Sequence, residues 1–169
     1  MPNRCICREC PCPARVLTIL VCCNGKDSVY AFDADAGTLL WHVSTLLSGE
    51  VPSDDLNCNQ ISPQIRITPT PAIDRSSGPH GTIYVVAMRE NSSSQYFQRI
   101  HALDITTGKE EFGGPLAMQA KYRGTGDGSQ SGYVVLEPKQ YAERQGLLLL
   151  NHIAYTCRTS HCDDRPYTG

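Results

Sequence analysis

One segment of this chain occurs twice at a fixed spacing, and that repetition limits the fold more than any other feature. Ser28-Val29-Tyr30-Ala31-Phe32-Asp33-Ala34-Asp35-Ala36-Gly37-Thr38-Leu39-Leu40-Trp41 aligns without gaps to Arg99-Ile100-His101-Ala102-Leu103-Asp104-Ile105-Thr106-Thr107-Gly108-Lys109-Glu110-Glu111-Phe112. Asp33 and Asp104, Gly37 and Gly108, and Trp41 and Phe112 all lie 71 residues apart. An Asp that closes a strand accepts hydrogen bonds from the N–H groups of the following turn. Gly supplies the positive φ at which the chain reverses. The aromatic residue opening the next strand offers a large flat area for a neighbouring sheet. A small sheet cannot bury that ring alone, so the repeat predicts sheets stacked around an axis.

Strand signals surround both copies. Val16–Cys23 is a β-rich run that ends in the turn signal Asn24-Gly25. Ser28–Ala34 and Thr38–Ser44 complete a predicted meander. Residues 45–69, rich in Pro, Asp and Asn, predict a long loop. Thr70–Asp74, Thr82–Met88, Tyr96–Ile105 and Lys109–Phe112 predict a second set of strands, and Glu90–Ser94 a polar connector. Gly132–Pro138 predicts another strand. Gln145–Asn151 and His152–Arg158 predict a hairpin, and Thr159–Gly169 a polar loop.

Composition narrows the function classes. The chain carries 15 Lys+Arg against 17 Asp+Glu, for a formal net charge of -2. A phosphate-backbone binder needs clustered positive charge, so nucleic acid is not an expected partner. No apolar run approaches the ~20 residues of a membrane-spanning helix. The 14 Gly, 11 Pro and 8 Tyr against 3 Met favour strands and turns over a helical bundle or coiled coil.

The chain has 9 Cys. Cys5, Cys7, Cys10 and Cys12 have the residue type of a thiolate metal site. Their one-residue spacings and the prolines around them point instead to a disordered Cys/Pro-rich leader over residues 1–15. Cys22-Cys23 reads as adjacent strand residues on opposite faces rather than a vicinal disulfide. Cys58, Cys157 and Cys162 are too scattered to pair from sequence alone. Arg4, Arg8 and Arg15 before the apolar run resemble an export signal, but the run is short and turns at Asn24-Gly25, so a strand is expected. His161-Cys162-Asp163-Asp164 is the densest run of potential metal ligands or nucleophiles, and it reads as a polar connector. Gly124–Ser129 lacks both the Lys of a phosphate loop and the acidic spacing of a calcium loop, so a surface turn is expected. Asp54-Asp55 reads as a solvated loop. His101 stands where Tyr30 stands in the first copy and is expected to be a sheet residue.

The shared frame, Ala-x-Asp-x-x-[Ala/Thr]-Gly-x-x-x-[Trp/Phe], resembles the repeat of the PQQ-like (pyrroloquinoline-quinone, quinoprotein) β-propeller family. Residues 28–41 match with Ala36 in place of Thr, and residues 99–112 with Phe112 in place of Trp. Thr70–Asp74 followed by Gly81–Val85 resembles the inner two strands of a blade, and Gln145–Tyr155 the same strands of a further one. The resemblance covers residues 16–169. It implies an all-β, incomplete propeller of about two to three four-stranded antiparallel blades. The blade-docking residues are then Asp33, Gly37, Trp41, Asp104, Gly108 and Phe112. The expected partners are the missing blades of the same propeller or another protein chain. The expected role is a non-catalytic binding or protein-interaction scaffold without cofactor, placed outside the cytoplasm. The alternative is a fragment of a quinoprotein dehydrogenase holding PQQ and calcium. Its calcium ligands and catalytic Asp find no match here residue by residue, and its adjacent-Cys disulfide belongs to an axial loop.

Overall fold

A computed structural model describes residues 4–12, 15–24, 27–61 and 63–166, with residues 4–12 and 15–24 described as backbone only. The described chain is all-β. The strands are β1 (Arg4–Cys12), β2 (Arg15–Asn24), β3 (Ser28–Asp33), β4 (Leu39–Ser44), β5 (Glu50–Asp54), β6 (Gln64–Ile65), β7 (Ala72–Asp74) and β8 (Thr82–Asn91). They continue with β9 (Tyr96–Asp104), β10 (Leu116–Ala117), β11 (Lys121–Arg123), β12 (Tyr133–Val135), β13 (Tyr141–Ala142), β14 (Leu148–Leu150), β15 (Ile153–Tyr155) and β16 (Thr159–Ser160).

The first sheet is four-stranded, ordered β1-β2-β3-β4, and every neighbouring pair is antiparallel. It contains the predicted three-strand meander and adds a strand. Where an irregular leader was expected, the backbone of Arg4–Cys12 pairs with β2, Cys5 opposite Val21 and Cys12 opposite Arg15. Residues separated by one position share a strand face, so the Cys-x-Cys spacing that hinders joint chelation suits a strand. The side chains of the Cys5–Cys12 cluster and of Cys22-Cys23 lie outside the described residues.

The second sheet is six-stranded, ordered β10-β9-β8-β5-β6, with β7 also on β8. β8 outruns its predicted end at Met88 and reaches Asn91. Its first part pairs with β7 and its last part with β5. The region 45–69, expected as loop, therefore contains β5 and β6. Lys109–Phe112 departs in the other direction. It makes an isolated bridge, Leu103 to Glu110, in place of the expected strand. The reason is local: Phe112 and Gly113 take φ of 54° and 74°, which turns the chain away from the sheet before a ladder can form.

Alternation along β8 positions the core. Ile83, Val85 and Ala87 face one way and are buried, as are Val86 and Met88 on the opposite face. β8 is thus covered on both sides. Against the first face pack Val29 and Ala31 of β3, with Trp41 and Val43 of β4. On the other face Gln98 of β9 donates from Nε2 to the carbonyls of Pro138 (3.1 Å) and Tyr141 (2.5 Å). It also accepts from Arg158 Nε at 2.7 Å. This second sheet, the middle one of the chain, therefore packs an apolar cluster toward the first sheet, and on its other face Gln98 links it to residues 138–158.

The hairpin predicted over 145–158 forms as β14 and β15. β1 lies beside β7, and β7 beside β14. β1, β7 and β14 thus stand in one row, and Leu147 N–H donates to Thr70 O at 3.0 Å beside it. No sheet closes on itself among the described residues. No described helix is long and apolar enough to cross a membrane.

Candidate functional site

The two copies of the repeat fold into the same turn. Asp33 Oδ1 accepts from the N–H groups of Asp35 (2.9 Å) and Ala36 (3.1 Å). Asp104 Oδ1 accepts from those of Thr106 and Thr107, both at 2.9 Å, and from both threonine hydroxyls. In each copy the Gly N–H donates back to the Asp carbonyl at 2.8 Å. Gly37 and Gly108 share a φ of 69°, a left-handed value that a Cβ disfavours.

Trp41 joins the two copies. Its Nε1–H donates to the carbonyl of Ile105 at 3.0 Å, inside the turn of the second copy. Its ring lies flat against Gly108, where an added Cβ would stand 2.6 Å from Cε3 and 2.9 Å from Cδ2. Trp41 faces Ala31 across the β3–β4 ladder. The small Ala leaves room for the indole beside the sheet. Of the six predicted docking residues, Trp41 and Gly108 meet across the copies, while Asp33, Gly37 and Asp104 shape the turns themselves.

Phe112 departs from expectation. It is 69% exposed and takes a φ of 54°, so its ring is not wedged between sheets in the described residues. Trp41 has a second turn to rest on, whereas no described segment covers Phe112.

A second contact between the sheets was not foreseen. Arg89 of β8 and Asp27, ahead of β3, are both fully buried, with Nη1 2.6 Å from Oδ1. Arg89 Nη1 also donates to its neighbour's carbonyl, Met88 O, at 2.7 Å, and Nη2 donates to Thr45 Oγ1. Thr45 Oγ1–H in turn donates to Asp27 O at 2.9 Å. Burial pushes the Asp27 carboxyl up, against the pull of Arg89 and Arg66. Arg89 continues the inward set Ile83, Val85, Ala87 at period two, but the strand is apolar on both faces, so the sequence alone did not mark that face.

Two histidines brace acidic turn residues. His80 Nδ1 lies 2.6 Å from Asp104 Oδ2, and His152 Nδ1 lies 2.7 Å from Asp74 Oδ2. Burial alone would raise the Asp104 carboxyl, but bonds from His80, Thr106 and Thr107 outweigh it and hold the group down to about 2. His101 is a buried residue of β9, paired with Val85 and 3.0 Å from Glu110 Oε2. This matches the sheet role expected of it.

Glu143, with Oε2 4.0 Å from Arg158 Nε, is 5% exposed. Burial pushes its carboxyl up to about 7, against the pull of Arg158 and the Cys157 backbone N–H. A raised folded-state pKa means that the contribution is complete below the ordinary value of 4.5 and is lost as pH rises through about 7. The unfolding free energy from denaturant titration is expected to fall across that window by up to ~3 kcal/mol. Glu143→Gln should flatten the slope. An equally steep slope in the variant would show that other groups cause it.

The remaining sequence candidates divide. Asp54 lies in β5 and accepts from Tyr96 Oη at 3.0 Å, while Asp55 caps the turn at Asn57 N–H. They share no site. Gly124–Ser129 is irregular and exposed along most of its length. His161 is buried, and its loop brings Cys162 to Cys58, with Cα atoms 5.8 Å apart and the two cysteines joined as a disulfide. An open groove of about 510 Å³ lies along Phe97, Met118 and Leu136. Cys22-Cys23 lies in the interior of β2, whose backbone pairs Cys22 with Arg4 on one side and Tyr30 on the other. That placement does not fit the axial loop in which an adjacent-Cys pair would cover a quinone. Comparison with protein-family models, curated proteins and solved structures gives no match for this chain.

Proposed function

We propose that the chain forms successive radial sheets of an incomplete PQQ-like β-propeller and acts as a non-catalytic scaffold that binds other protein surfaces. The observation that carries this reading is the seat of Trp41 on the turn of the next repeat, through Gly108 and Ile105 O. The row β1, β7, β14 supports it, because radial sheets bring their leading strands together around an axis.

The binding role rests on what stays uncovered. Leu148, Leu150, Ile153 and Tyr155 of the β14–β15 hairpin are 46–58% exposed, and Phe112 and Leu116 are exposed at the edge of the middle sheet. Two-stranded sheets with open apolar side chains are marginal alone. Further blades of the same propeller, or another chain, are the partners that suit them. A periplasmic or extracellular location is what the resemblance suggests.

Light scattering on the purified chain is the test. Self-association to a mass above the 18.6 kDa of one copy is expected. A clean monomer with one cooperative melting transition would contradict the reading. A second assay addresses catalysis: with PQQ, calcium and a dye acceptor added, alcohols and sugars should reduce no dye above a protein-free blank. Dye reduction that depends on the chain would overturn the non-catalytic assignment.

A further inference from the structure

We propose that Cys58, His161 and Cys162 form a redox-gated site for a zinc-class divalent cation, occupied when the two cysteines are reduced. One donor atom from each of the three residues lies within 4.8 Å of the others. They come from distant segments, since Cys58 and Cys162 are separated by 104 residues. The inference does not depend on the propeller reading.

The surrounding backbone builds the site. Cys58 N–H donates to Asp55 O at 3.0 Å, closing a tight turn. The same carbonyl lies 3.3 Å from His161 Nε2. His161 N–H donates to Gln140 O at 2.9 Å, and the residue is 4% exposed. One carbonyl therefore organises both the Cys58 turn and the imidazole. A ring N–H given to that carbonyl would leave the other ring nitrogen with the free lone pair that a metal needs.

Two thiolates and an imidazole are the soft-to-borderline donors that favour zinc over calcium or magnesium. Three protein ligands leave a fourth position for water or another donor. Loading displaces one proton from each thiol, so the reduced chain exchanges two protons for one cation. Oxidation by a low-molecular-weight disulfide runs in two steps. A Cys58 or Cys162 thiolate attacks the reagent and expels one small thiolate. The other cysteine then closes the protein disulfide and expels the second. The protein gives up two electrons, the reagent takes them, and the cation leaves because both sulfur donors are consumed. Zinc and disulfide are alternative clasps between the Cys58 turn and the loop after β16.

Cobalt(II) is the probe, because thiolate ligation gives it a near-ultraviolet charge-transfer band. The full chain is used with Cys5→Ser, Cys7→Ser, Cys10→Ser and Cys12→Ser, so that the Cys5–Cys12 cluster adds no signal. Under a reducing, oxygen-free atmosphere it should bind one equivalent with that band. Adding Cys58→Ser or His161→Ala should weaken binding by more than the roughly 100-fold that loss of an outer partner can cost. Oxidation to the Cys58–Cys162 disulfide, verified by peptide mass mapping, should release the cobalt. Zinc should raise the melting temperature of the reduced chain and not of the Cys58→Ser chain, which keeps the test valid if that substitution weakens the fold. Equal cobalt binding with and without Cys58, no band in the reduced chain, or cobalt retained by the mapped disulfide form would each overturn the proposal.

Discussion

Arg89→Met is expected to destabilise the chain by about 3–5 kcal/mol, the usual cost of leaving a buried charge without its partner. The methionine fills the volume of the arginine stem, so lost packing contributes little. The cost arises because Asp27 stays fully buried beside a side chain that carries no charge. Asp27→Asn alone strands the guanidinium in the same way and should cost a similar amount; Asn tolerates the φ of 56° at that position. The double variant Asp27→Asn/Arg89→Met removes both charges and should be more stable than either single variant. Chemical denaturation of the four proteins gives the coupling directly. Additive single effects would show that Arg89 and Asp27 act separately and that the buried pair does not join the sheets.

The second large effect concerns the two equivalent glycines. Gly37→Ala meets nothing within 4 Å and should cost only the left-handed backbone penalty, about 1–2 kcal/mol. Gly108→Ala has the same φ of 69° but drives its methyl into the Trp41 ring. An overpacking cost of about 1–3 kcal/mol then adds to the backbone term. The excess of Gly108→Ala over Gly37→Ala therefore measures the wedge, because local turn geometry cancels between the copies. Trp41→Ala removes the obstacle, so in that background the two glycine substitutions should cost the same. A persistent difference would assign the cost to something other than the indole.

The parts of this architecture that were legible in the sequence are those set by neighbours along the chain. Asp33, Gly37, Asp104 and Gly108 specify their turns within five residues, and the structure repeats the turn with the same glycine φ. The strand around Ile83–Val86 was equally visible, but its residues are apolar on both faces, so the sequence did not mark which face would carry Arg89 into the interface. Tertiary outcomes were less legible. Phe112 carries the same residue class as Trp41, yet a ring is buried only where a second surface meets it. Lys109–Phe112 has strand-like neighbours, but Glu110 turns its carboxylate to the Ala102 N–H, and the chain reverses before a strand is established. Cys58 and Cys162 meet only because two connectors end at the same place, which no spacing along the chain encodes.

Trp41 is the chain's only tryptophan, so its fluorescence reads the contact between the repeats without interference from another indole. Emission of the native chain should lie at shorter wavelength than in denaturant, with weaker acrylamide quenching. Gly37→Ala should leave both readings unchanged. Gly108→Ala should shift both toward the denatured values under conditions where the strand signal in circular dichroism persists. Identical emission and quenching in Gly108→Ala and the parent chain would contradict the seating of the indole on the second turn, and with it the arrangement of the sheets.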